Sequence, residues 1–167
     1  LLEEMPPWQG GGGMIKQVTF EKTSYQNLPY KFEAGTVNIG DAIGLGAAID
    51  YLQKIGLNNV ERHERNLTGY AMNALTAIPG LCLIGTASDK ISVITFIVRN
   101  FSPEELAHHL DQAGIAVRIG HHCAQPTLER FGVTNTIRVS LGLYNTREEV
   151  DTLWQVLNKL AGQTRIF

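Results

Sequence analysis

The stretch RIGHHCAQP, positions 118–126, sets a guanidinium, two imidazoles and a thiol within the six residues from Arg118 to Cys123. A cysteine attacks only as thiolate, and adjacent cations can draw its pKa from about 8.5 into a range of about 3.5–7.5. Arg118, His121 and His122 are neighbours of the right kind, and Gly120 gives the backbone freedom to turn. Two plainer readings stand beside the nucleophile. His and Cys are common zinc ligands, yet adjacent side chains diverge, no second Cys/His pair follows at a usual spacing, and His108–His109 is a solitary doublet. The other reading is an inert loop cysteine. Cys82, flanked by Leu81 and Leu83, reads as a small core residue.

Alternation in two segments points to a second group of side chains. In Ile115–Ile119 the odd-numbered apolar residues share one face and turn Arg118 to the other; in Thr136–Leu141, Ile137, Val139 and Leu141 do the same for Arg138. If both strands lie in one sheet, the two guanidiniums can face a common site, where a planar fork suits a carboxylate or phosphate. A pair of solvated surface arginines is the alternative.

A third stretch, PPWQGGGGM at 6–14, holds four consecutive glycines. A Walker-type phosphate loop needs Lys and Ser or Thr after its last glycine, and here Met14 and Ile15 follow. Linkers of the tag kind are Gly/Ser-rich and lack Trp. A mobile loop with unusual φ/ψ values and Trp8 as its anchor remains, beside a plain surface connector.

These groups need elements to hold them. Ile15–Phe20 reads as a short strand and Glu21–Phe32 as loop; Asn38–Ile55, rich in small apolar residues, suits a helix packed closely on a neighbour, with Gly44 and Gly46 admitting another backbone. Its GLGAAI touches the dinucleotide fingerprint, but no strand runs into the first glycine. A second helix begins at Asn58, with Val60, Leu67, Ala71, Ala74, Leu75 and Ile78 on one face and Pro79-Gly80 as its stop. Leu81–Ile84 and the apolar Ile91–Val98 read as strands, the latter buried. Ser102-Pro103-Glu104-Glu105 and Thr146-Arg147-Glu148-Glu149 are capping boxes that start two further helices. The last carries the stripe Val150, Leu153, Trp154, Leu157 and Leu160. The order gives an α/β or α+β fold, its later part a sheet packed with helices.

With 167 residues the chain is large enough for a real core. An apolar fraction of 44% and a charged fraction of 18% are ordinary for a soluble protein, and a net charge of −2 gives no footprint for nucleic acid or an anionic membrane. No apolar run reaches a bilayer span and the start LLEEMPPW lacks signal-peptide character, so a cytoplasmic protein with two separate, unbridged cysteines is expected.

Taken together, PPWQGGGGMI, FEAGTVN at 32–38, the RIGHHCAQP loop and IRVSLGLYNTREEVD at 137–151 resemble the group II (SufS-type) cysteine desulfurases, pyridoxal 5'-phosphate enzymes of aminotransferase fold type I. The likeness runs over essentially the whole chain in the family's order and spacing. It implies an α/β transferase fold in which residues 1–57 end the large cofactor domain and residues 58–167 form a small α+β domain with the nucleophile loop. It further implies that Cys123 takes sulfur from L-cysteine as a persulfide and leaves alanine, that Arg138 holds the substrate carboxylate, and that Arg118 stands beside the loop. Thr36 matches the threonine that reaches the phosphate of the other subunit's cofactor; Gly11, Gly12, Gly120, His121 and His122 are supporting loop positions, and no metal is implied. A homodimer and a sulfur-acceptor protein of SufE/SufU type follow from the same likeness, with selenocysteine lyase activity on L-selenocysteine as the near neighbour. A non-catalytic zinc-binding or interaction module is the reading from a different class.

One departure is large. The cofactor lysine, ring-stacking histidine and pyridine-facing aspartate of the resembled enzymes lie upstream of the matched region, and Lys16, Lys22, Lys31, Lys54, Lys90 and Lys159 do not sit in that lysine's motif. The chain is therefore expected to be a C-terminal portion, inactive alone.

Overall fold

A computed structural model describes residues 1–162. The chain forms two compact units, Leu1–Ile55 and a second that starts at Gly56.

In the first unit, β1 (Ile15–Val18) and β2 (Thr23–Tyr25) make a short antiparallel ribbon. Thr19 closes its turn: its amide donates to the Lys22 carbonyl at 2.9 Å, and its hydroxyl accepts the Lys22 amide at 3.0 Å. β2 and a 3-10 turn at Tyr30–Phe32 stand where the sequence reads as loop. The ribbon is largely exposed, so no apolar alternation marks it. Met14 is fully buried at the start of β1. The helix α1 (Ile39–Ile55) forms as expected, but its tight packing does not: no α1 residue is buried, and a Cβ on Gly44 or Gly46 would meet no described atom within 4 Å.

Gly56, at φ 90°, separates α1 from α2 (Leu57–Thr76). The second unit is a four-stranded antiparallel sheet in the order β3 (Leu81–Ile84), β4 (Val93–Val98), β6 (Thr136–Ser140), β5 (Arg118–Gly120). β4 and β5 thus run parallel with β6 between them, and α3 (Pro103–Gln112) connects the two. Helices α2, α3 and α5 (Arg147–Gly162) cover one face, where Leu67, Leu75, Leu106, Leu110, Val150 and Leu157 close on Ile94, Phe96 and Ile137. Each such large apolar side chain, once buried, contributes about 1.5–3 kcal/mol. Trp154 of the expected α5 stripe stays half-buried at the margin.

Both capping boxes are present. Ser102 Oγ accepts the Glu105 amide and the Glu105 carboxylate accepts the Ser102 amide, each at 3.1 Å. Thr146 and Glu149 exchange the same bonds at 3.3 and 3.0 Å. β5 begins at Arg118 rather than Ile115, because the end of α3 uses the preceding amides. Gly114, at φ 75°, donates to the Asp111 carbonyl, and Ile115 donates to the Leu110 carbonyl, both at 2.9 Å, which is a Schellman cap. No helix among the described residues is long and apolar enough to cross a membrane.

Candidate functional site

Strand register decides what shares the uncovered face of the sheet. With Ile137 and Val139 buried against the helices, Arg138 points the other way, and its register partners are Thr95 on β4 and Arg118 on β5. The arginines anticipated from alternation therefore stand directly opposite one another. Like charges in that position repel. No described carboxylate forms an ion pair with either, and the Nε of half-buried Arg138 is itself buried with no hydrogen-bond partner. Two adjacent guanidiniums with no internal anion form an arrangement that can grip a carboxylate or phosphate from outside.

β5 runs straight into the His121–Ala124 turn that carries Cys123. Gly120 turns at φ 118°, and His122 and Cys123 then take left-handed values of 52° and 56°, each costing a non-glycine residue about 1–2 kcal/mol. The Cys123 amide donates to His121 Nδ1 at 3.0 Å, and the Ala124 amide donates to the His121 carbonyl at 2.9 Å. Helix α4 (Gln125–Arg130) follows, with Pro126 in its first turn. Cys123 is exposed and unbridged.

His122 turns inward instead. It is half-buried, and both its ring nitrogens are buried without completing a hydrogen bond. Burial holds the imidazole below the ordinary histidine value of 6.5, the positive Arg138 adds to that, and the nearby Thr136 backbone pushes the other way. Burial and Arg138 thus disfavour at His122 the cation that its place in the sequence suggested. Because the unfolded chain binds this proton more readily, stability is expected to fall as pH drops below about 6.5 and to go on falling towards the lowered folded-state value. Replacement by Asn, which tolerates left-handed φ, is expected to flatten that acid slope. Tm measured against pH for both proteins checks this.

Sequence reasoning passed over Thr136. It is fully buried on the same strand face as Arg138, and its Oγ1 has no hydrogen-bond partner among the described residues. Its place two residues before Arg138 was the available signal.

Cys82 is exposed, not a core residue. In β3, Leu81 and Leu83 pack towards the helices, which turns Cys82 to the uncovered face. Among the described residues no group of three or more His, Cys, Asp or Glu is arranged to hold a metal ion.

In the first unit, Thr36 is exposed, follows Gly35 at φ 90°, and its hydroxyl makes no hydrogen bond with a described residue. The glycine stretch holds this turn: the Gly35 amide donates to the Gly12 carbonyl at 2.9 Å. Gly11 is required by contact, since a Cβ there would lie 2.9 Å from the Gly35 nitrogen, whereas at Gly12 it would meet nothing within 4 Å. Gly11→Ala is expected to cost about 1–3 kcal/mol by overpacking and Gly12→Ala close to nothing, as read from denaturant midpoints. Trp8 does not anchor the loop; it is 91% exposed.

The aminotransferase class-V family model matches residues 1–153. A cysteine desulfurase of Synechococcus elongatus is 53% identical over 160 residues, covering 96% of this chain and 26% of that protein. One from Escherichia coli O127:H6 is 47% identical over 161 residues, covering 96% of this chain and 39% of that protein. The chain thus spans well under half the length of these relatives. Among solved structures, the apo cysteine desulfurase of Thermococcus onnurineus superposes with a TM-score of 0.86 at 37% identity over 93% of this chain and 39% of that one. The cysteine desulfurase CsdA of Escherichia coli gives 0.83 at 37% identity over 93% and 38%. The chain belongs to the aminotransferase class-V family.

Proposed function

We propose that this chain is the nucleophile-bearing portion of a larger, group II cysteine desulfurase that uses pyridoxal 5'-phosphate. The observation that carries the reading is the exposed Cys123 thiol at the end of the strand that sets Arg118 beside the unpaired Arg138. Arg138 and Arg118 would hold the carboxylate of L-cysteine, which points the substrate's sulfur towards the nucleophile loop. The Cys123 thiolate then forms a bond to that sulfur while the substrate's Cβ–S bond breaks. The electron pair stays on carbon, which takes up a proton, so L-cysteine and a thiol become L-alanine and a persulfide.

Pyridoxal phosphate, when bound, supplies the electron sink that eases loss of the substrate's Cα proton. Two observations fit such a group. The free Thr36 hydroxyl, presented by the Gly35 turn, suits a phosphate oxygen, and the unpartnered Arg138 suits the substrate's acid end. Lys31 and Lys90 donate to the carbonyls of Glu3 and Gly85 at 2.7 and 3.0 Å, and none of the chain's lysines is assigned to the cofactor.

A homodimer is part of the proposal. It is supported by the apolar surface of α1, where Ile39, Ile43, Leu45 and Tyr51 are all more than half exposed. The persulfide would pass to a sulfur-acceptor protein of SufE/SufU type, in the cytoplasm, where an exposed thiol stays reduced.

The longer protein, given the cofactor and L-cysteine, is expected to release alanine. This chain alone with the same additions is expected to release none. Alanine from this chain at the longer protein's rate would refute the assignment of its lysines, and no alanine from the longer protein would refute the function.

A further inference from the structure

Two imidazoles beside a thiol invite the reading of a base that takes the thiol's proton. The hydrogen bonds give His121 a different task. Cys123 and His122 are consecutive left-handed residues without the freedom of glycine, so the turn persists only where its surroundings hold it. Two ties come from one residue: His121 Nδ1 accepts the Cys123 amide at 3.0 Å, and the His121 carbonyl accepts the Ala124 amide at 2.9 Å. A ring nitrogen that accepts carries no proton, so the ring is the Nε2–H tautomer and its Nδ1 lone pair is committed to the backbone. His122, whose ring nitrogens are buried, makes no hydrogen bond to the exposed thiol.

We propose that His121 is a positioning residue for sulfur transfer: through Nδ1 it fixes the left-handed backbone of Cys123 and with it the direction of the thiol. The inference rests on Cys123 being the nucleophile, as argued above.

The test uses the cofactor-loaded longer protein. Asn at position 121 can accept the same amide two residues on, as in an Asx-turn; Ala and Phe cannot. His121→Ala and His121→Phe are expected to slow persulfide formation at saturating L-cysteine by on the order of tenfold to a hundredfold, the scale of a misplaced reacting group. KM should change by less than about twofold, because carboxylate binding is untouched. His121→Asn should recover most of the rate. Independently of turnover, nitrogen NMR of the native ring should show the Nε2–H tautomer, and the Cys123 amide should exchange slowly with solvent and lose that protection in His121→Ala.

A native rate in His121→Ala, an Asn variant no faster than the Ala variant, or an Nδ1–H ring would each overturn the proposal. Should the native protein form no persulfide at all, the functional reading falls, while tautomer and amide exchange still decide the role of His121.

Discussion

Cys123→Ala in the cofactor-loaded longer protein is expected to lower alanine formation from L-cysteine by at least about a thousandfold, the scale of removing a covalent nucleophile. The residue is exposed three residues past the end of β5, on a turn whose left-handed backbone is tied by hydrogen bonds. Nothing beside it offers a second thiol. Cys82 lies on β3, the opposite edge of the sheet, with β4 and β6 in between, which at ordinary strand spacing separates the two strands by about 14 Å. Cys82→Ala is accordingly expected to leave the rate unchanged. Parallel assays of the two variants check both statements.

Arg138→Ala is expected to act on binding instead. Arg138 is half-buried, its Nε is buried and unpartnered, and the residue opposite it is another arginine. Losing a desolvated charge-assisted partner costs about 2 kcal/mol or more, so KM for L-cysteine should rise by about thirtyfold or more with a smaller change in kcat. Arg138→Lys should recover only part, because an ammonium cannot make the two-pronged grip. Arg118 is exposed, and its replacement by Ala should cost less. An unchanged KM with normal turnover in Arg138→Ala would make that residue mere surface.

The parts of this molecule written in local chemistry were legible from residue types. Ser102–Glu105 and Thr146–Glu149 declare their helices because a cap is made by residues three apart. Alternation turned Arg118 and Arg138 to one side, and the register added what alternation cannot contain: that β6 lies between β4 and β5 and sets the two arginines opposite each other. The misreadings share a cause. Leu81-Cys82-Leu83 looks uniformly apolar, but period two puts the cysteine on the face that the helices leave uncovered. The small residues of α1 announce close packing without saying against what. β2 carries no pattern because the ribbon is largely exposed. In RIGHHC the residue types suggested three cations around a thiol; the structure shows one histidine accepting an amide and the other half-buried, where burial and Arg138 disfavour its charged form.

Whether Cys123 carries the sulfur is read from the intact mass of the longer protein, followed by peptide mapping, after brief exposure to the cofactor and L-cysteine. One added sulfur atom, located on Cys123, removed by a reductant and missing from Cys123→Ala, is the result expected here. Alanine formed in step with turnover while Cys123 stays unmodified, or sulfur that accumulates on Cys82 instead, would contradict it.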